Sequence, residues 1–179
     1  LKGLEVNLRE LLLEILCRKA TELAVKHRAA APHELTVDAV VEPANFNAPG
    51  QIVISGRKKN VEEAIEKLRE KGARKVIPLD VSGAFHSSCM DSACARIEKA
   101  LTDIQILRPK ISVVSNLTAG VEEDPEKIKQ ILVKQMNHRT LWEGSMRLML
   151  SKGVRTFIEF APGKVLKGLL KKIDPEAQV

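Results

Sequence analysis

The sequence predicts an α/β protein built in two parts, and three observations carry that prediction. Over residues 1–79 the apolar periodicities run helix, strand, strand, helix, strand, the order of a ferredoxin-like unit without its first strand. Over residues 80–179 helices alternate with short apolar runs, which points to a parallel layer covered by helices. Between the two lies a turn of small residues, Val81-Ser82-Gly83-Ala84-Phe85-His86-Ser87-Ser88. An extended run enters this turn and a helical stripe leaves it, so His86 sits in a loop that rigid elements hold from both sides.

Leu8, Leu11, Leu12, Ile15, Leu16 and Leu23 recur at helical spacing behind a capping Asn7, so a helix is expected from Leu8 to about Lys26. Leu1 to Val6 is a poor candidate for the absent first strand. Thr36 to Val41 and Gln51 to Ser55 read as strands separated by a loop rich in Asn, Pro and Gly. Asn60 reads as the cap of a helix whose apolar face is Val61, Ala64, Ile65 and Leu68, and Gly72 stands at its C′ position. Val76 to Leu79 is the next strand.

Beyond His86 the pattern gives a helix over Ser88–Asp103 with Ser88 as its cap, a strand over Ser112–Ser115 and helices over Pro125–Met136 and Leu141–Lys152. A strand over Thr156–Phe160 and a helix over Lys164–Ile173 close the chain. The stripes Ile128, Ile131, Leu132 and Trp142, Met146, Met149 are read as core, as are Leu166, Leu169 and Leu170. This second part reads as half of an α/β core whose strands need partners, so exposed apolar edges and self-association are expected.

An apolar fraction of 44% and a charged fraction of 29% indicate a globular chain. No apolar run is long enough to cross a bilayer and no signal-peptide pattern opens the chain, so a cytoplasmic or organelle-matrix location is expected, with no membrane partner. Cys17, Cys89 and Cys94 have no framework spacing and are expected as buried thiols in a reducing compartment. The net charge of +6 favours acidic partners. Nucleic acid is not among them, since aromatic residues make up 3% of the chain, Tyr is absent, and no nucleic-acid-binding motif appears.

Taken alone, one histidine in a strand-to-helix turn is more often a hydrogen-bonded structural residue than a catalytic base. His86, Cys89 and Cys94 make three metal ligands at irregular spacing with no fourth, so no metal site is expected. Cys89 shares too much local backbone with His86 to be attacked or activated by it. Gly-x-Ser-x-Gly, the sharp turn that exposes a serine nucleophile, is found nowhere in the sequence.

Several stretches carry a resemblance. Val81 to Ser87, with Glu42-Pro43-Ala44-Asn45-Phe46-Asn47-Ala48-Pro49-Gly50-Gln51-Ile52-Val53-Ile54-Ser55-Gly56, Val113-Val114-Ser115-Asn116 and Pro162-Gly163-Lys164-Val165-Leu166, resembles the malonyl-CoA:acyl-carrier-protein transacylase family in order and approximate spacing. The likeness runs from about Val37 to Ile173. It implies a ferredoxin-like small subdomain at 1–79 and, at 80–179, the C-terminal part of an α/β-hydrolase-like acyltransferase core, without the N-terminal half that carries the serine. The implied chemistry is malonyl transfer from malonyl-CoA to the phosphopantetheine thiol of acyl carrier protein in fatty-acid biosynthesis, with coenzyme A thioester as substrate and no cofactor or metal.

By the same resemblance His86 is the acid/base, and Asn116 and Gln135 match positions whose backbone carbonyls accept from its ring. Asn47 and Lys75 match positions that meet coenzyme A. No residue is assigned to the malonate carboxylate; Arg18 would be a counterpart of the family's arginine only if an intervening strand were lost. Asp80, Ala161 and Arg139 depart from the family pattern at its edges. Two alternatives stand beside this reading, an acyltransferase module of a polyketide synthase and a non-catalytic fragment that binds a carrier protein or a missing N-terminal half.

Overall fold

A computed structural model of the chain describes residues 21–26, 41–160 and 163–179. The expected helical stretch from Leu8 to Ala20, the extended run from Thr36 to Val40, and Cys17, Arg18, His27, His33 and Ala161 lie outside the described residues.

The first part is a four-stranded antiparallel sheet of β1 (Thr21–Lys26), β2 (Val41–Ala48), β3 (Gln51–Gly56) and β4 (Lys75–Leu79), in the order β2-β3-β1-β4. That is the strand order of a ferredoxin-like sheet, and its first strand comes from Thr21–Lys26, where the leucine periodicity predicts the end of a helix. The physical reason for the correction is non-local. β1 lies between two partners, with Leu23 opposite Ile54 on one side and Pro78 on the other, and two ladders outweigh the local preference of six residues.

β2 also departs from expectation. Glu42 to Ala48 was expected as loop, yet it pairs with β3 from Val41 opposite Gly56 to Ala48 opposite Gln51, with register shifts between Pro43 and Asn45 and between Phe46 and Ala48. Pro43 is tolerated because β2 is an edge strand and the register shifts release it from the regular ladder. The loop shrinks to Pro49-Gly50, where Gly50 takes a positive φ of 70°.

Helix α1 (Lys58–Glu70) covers one face of this sheet. Its buried Val61, Ala64 and Leu68 pack on Ile54, while Val53, the residue before it in β3, turns to the opposite face and meets Ala44 and Leu79. The helix starts at Lys58 behind Arg57, two residues before the expected cap Asn60. It stops at Gly72, whose φ of 85° allows Ala73 N–H to donate back to Leu68 O at 2.9 Å.

The second part contains α2 (Asp91–Leu101), entered through a 3-10 turn at Ser88–Met90, then the hairpin β5 (Val113–Val114) and β6 (Val121–Glu122). Helices α3 (Pro125–Lys134), α4 (Trp142–Ser151) and α5 (Val165–Ile173) follow. Asp124 caps α3 by accepting from Glu126 N–H at 2.8 Å and Lys127 N–H at 3.2 Å, with Pro125 at N1. Met146, Leu170 and Ala177 form the buried cluster of this part, with Trp142, Met149 and Phe157 against it. No residue of α3 is fully buried and Leu132 is exposed, so the expectation that its stripe is core does not hold here.

The expected strand Thr156–Phe160 does not form. Thr156 makes one parallel bridge to Gln178, while Ile158 is 75% and Phe160 94% exposed. A strand is defined by its neighbours, and beyond the bridge to Gln178 this apolar segment pairs with no strand among the described residues. Parallel pairing in the described residues is confined to this bridge and to Asn45 with Thr140.

Glu122 fastens the hairpin to α3. Its buried carboxylate accepts from Thr118 Oγ1 at 2.7 Å and pairs with Lys127 Nζ at 2.6 Å. The Lys127 ammonium first, then the Thr118 hydroxyl, holds this carboxyl below its ordinary value of 4.5. A lowered folded-state value means that the stabilisation is complete above about pH 4.5 and is lost as pH falls through the folded value. Glu122→Gln is therefore expected to cost roughly 1–2 kcal/mol at neutral pH and to flatten the fall of melting temperature below about pH 4.5. Melting curves of both proteins across that range check this.

Candidate active site

His86 is placed by a turn that its sequence makes tight. Gly83 leaves room for the Phe85 ring, since a Cβ there would meet Phe85 Cζ at 2.9 Å. Ser87, fully buried, donates its hydroxyl to Ala84 O at 2.7 Å. His86 itself has φ of 59°, the left-handed region that few residues other than glycine enter. Its backbone N–H is held there by Met136 O at 2.9 Å. A residue kept in so costly a conformation is over-determined by its surroundings, and such positions cluster at working sites. Nothing in the sequence signals this conformation.

The surroundings are the carboxyl end of α3. In the turn that follows α3, at residues 135–138, three carbonyls are directed at the histidine. Met136 O takes the backbone N–H, while Gln135 O lies 2.8 Å and His138 O 3.1 Å from Nδ1. Nδ1 must carry its proton to satisfy two carbonyls, which leaves Nε2 with its lone pair. On that side stands Thr140 Oγ1, at 3.5 Å.

Of the residues singled out in the sequence, Gln135 meets the ring through its carbonyl, at the distance just given. Asn116 does not: its carbonyl accepts from Leu141 N–H at 2.7 Å, and no hydrogen bond joins it to His86 among the described residues. Asn116 thus fixes the start of α4, and His138 O is the second acceptor that sequence reasoning missed. Asn47 lies in the register shift at the end of β2 and Lys75 is the exposed first residue of β4, on opposite edges of the sheet. Three strand spacings separate these edges by about 14 Å. Ser88 caps no helix; its N–H donates to Glu42 Oε1 at 2.9 Å, as does its hydroxyl. Beside it opens a cleft of about 390 Å³ lined by Glu42, Arg57, Asn60, Ser88 and Cys89.

No serine here has the setting of a nucleophile paired with His86. Ser145 is buried and donates to Leu141 O and Ser115 O at 3.1 and 3.3 Å. Cys89 is exposed rather than buried, because the 3-10 turn rotates it outward. Cys94 is half-buried, and burial first, with the Asp91 carboxylate second, pushes its thiol up from 9.0. Cys94, facing the Asp91 and Glu98 carboxylates, lacks the electropositive surroundings of a reactive thiolate. Among the described residues, no group of three or more His, Cys, Asp or Glu is placed to hold a metal ion, and no helix is long and apolar enough to cross a membrane.

Comparison with known proteins gives this geometry its family. A family model described as an acyl transferase domain matches residues 5–174. The chain belongs to the acyl transferase domain family. It is 44% identical over 135 residues to the malonyl CoA-acyl carrier protein transacylase of Bacillus subtilis, covering 75% of this chain and 43% of that protein. It is 42% identical over 142 residues to the enzyme of the same name from Staphylococcus aureus, covering 79% and 46%. Among solved structures it is similar to an acyl carrier protein S-malonyltransferase from Vibrio cholerae, with TM-score 0.85, 33% identity, and 94% and 57% of the two chains covered. The malonyl-CoA:acyl carrier protein transacylase of Xanthomonas oryzae gives TM-score 0.84 and 34% identity, covering 94% and 56%. The acyl transferase chain thus spans about half the length of these relatives.

Proposed function

We propose that this chain supplies the histidine-bearing part of a malonyl-CoA:acyl-carrier-protein transacylase of fatty-acid biosynthesis, acting in the cytoplasm or an organelle matrix. The observation that carries the reading is the His86 ring, tied at Nδ1 to two carbonyls and presenting Nε2. A serine hydroxyl is too weak a nucleophile near neutral pH unless a base takes its proton during attack. Nε2 of a ring fixed in this tautomer is such a base, and the carbonyls at Nδ1 stabilise the imidazolium that then forms. The same imidazolium returns the proton to the leaving coenzyme A thiol, and in the second half-reaction Nε2 takes one from the attacking phosphopantetheine thiol.

The serine comes, in this reading, from residues other than these 179. The exposed apolar residues Ile111, Ile158, Phe160 and Val165 support that, since they offer a surface for strands the described residues lack. Asn116 contributes by seating α4, and Gln135 by its carbonyl. Lys75 is an exposed cation suited to a phosphate. Its end of the sheet lies away from His86, so an extended coenzyme A would reach it with its nucleotide end, with Asn47 across the same sheet end. The relatives' names favour a malonyl transacylase over a polyketide synthase module.

The test is intact mass after incubation with malonyl-CoA. This chain alone is expected to stay unlabelled. Adding the N-terminal half of the Bacillus subtilis relative is expected to give a malonyl ester on that half and onward transfer to acyl carrier protein. A stable malonyl ester on a serine of this chain would overturn the division of labour.

A further inference from the structure

We infer that Thr140 is a positioning residue whose buried hydroxyl holds the Nε2 side of His86 until the nucleophile's hydroxyl takes its place; this rests on His86 being the acid/base. Thr140 is 7% exposed, so its hydroxyl must find partners within the protein. As an acceptor it takes Gln135 Nε2 at 3.2 Å. Its own proton then points to His86 Nε2, at 3.5 Å. That is the far end of hydrogen-bond reach, and catalytic contacts of this kind are often long before substrate arrives.

Gln135 acts at both ends of this arrangement. Its backbone carbonyl accepts from Nδ1 of the ring and its side-chain amide orients the hydroxyl on the other side. The imidazole of His86 therefore has a contact at each nitrogen, at Nδ1 from the turn that follows α3 and at Nε2 from Thr140 just beyond it. A histidine held only at Nδ1 is free to swing about that bond, whereas a second contact fixes the direction of the Nε2 lone pair.

The backbone of Thr140 ties this grip to the small subdomain. Thr140 N–H donates to Ala44 O at 2.7 Å and Thr140 O accepts from Phe46 N–H at 2.9 Å, the parallel bridge that covers the edge of β2. Next to it the Arg139 guanidinium lies 5.7 Å from the centre of the Phe46 ring. The hydroxyl that meets Nε2 is thus carried on the segment where the two parts join.

Nitrogen-15 NMR of the imidazoles tests the contact without any transfer reaction. Thr140→Val keeps the shape and removes the hydroxyl, and is expected to move the His86 Nε2 resonance downfield, toward an unbonded imine nitrogen, while the exposed His138 does not move. Carbethoxylation of His86 by diethyl pyrocarbonate should quicken about two- to tenfold, the factor that one hydrogen bond of ordinary net strength represents. Thr140→Ser should restore both values, and a Thr140→Ala and Thr140→Ser pair gives the same comparison if valine disturbs folding. An unmoved resonance in Thr140→Val, or a serine variant that behaves as valine does, overturns the inference. If the resonance moves but His86→Ala leaves malonyl transfer intact, the contact stands and the acid/base reading of His86 falls.

Discussion

Replacing His86 by alanine is expected to lower malonyl transfer by roughly 10⁴-fold or more, with the complementing half present. The size follows from the role. Without a base the serine hydroxyl attacks only as its rare alkoxide, and the leaving thiolate receives no proton from the enzyme. Gln135→Ala is the informative companion. It keeps the backbone carbonyl that holds Nδ1 at 2.8 Å, so it should lose less than about tenfold, the loss attributable to one side-chain hydrogen bond. Single-turnover transfer of labelled malonyl groups to acyl carrier protein measures both. A His86→Ala protein within tenfold of the unaltered one, with an unchanged melting curve, would exclude His86 from acid/base chemistry.

The contrast between Gln135 and Asn116 bears on what a sequence makes legible. Local rules placed the strand-turn-helix around His86, the Gly72 stop and the helix start at Pro125, because each depends on neighbours along the chain. They did not reveal that Asn116 O meets Leu141 N–H, or that His138 O joins Gln135 O at the ring. A backbone carbonyl is the same chemical group in every residue, so no residue type advertises which one will accept. Thr140 escaped notice for a related reason. Its hydroxyl matters through β2 and the end of α3, two segments brought to it only by folding. The strand misreadings share that cause: Thr21–Lys26 is extended because β3 and β4 flank it, and Thr156–Phe160 forms no ladder because, among the described residues, only Gln178 bridges to it. Periodicity reports what a segment buries, and pairing decides what it becomes.

Leu68→Ala is expected to cost about 2–5 kcal/mol, and to take that stability from one part of the molecule only. Leu68 is 2% exposed and packs with Ile54, Val61 and Ala64 between α1 and the sheet. None of these belongs to the cluster of Met146, Leu170 and Ala177 in the second part. The two parts meet where α4 and α5 pack along β2, and polar links add to that contact: the pairing of Thr140 with β2, Ser88 with Glu42, and Lys172 Nζ with Gln51 Oε1 at 2.7 Å. The two apolar clusters share no residue, and separate opening of each is the expected result. Amide exchange should therefore show faster opening in β3 and α1 of the variant, while α4 and α5 keep their protection. Equal loss in both regions would mean one cooperative unit and no boundary between residues 79 and 80. The consequence for chemistry runs through Thr140: opening of the small sheet releases the edge of β2, frees the segment that bears the hydroxyl at Nε2, and leaves His86 held from the Nδ1 side alone.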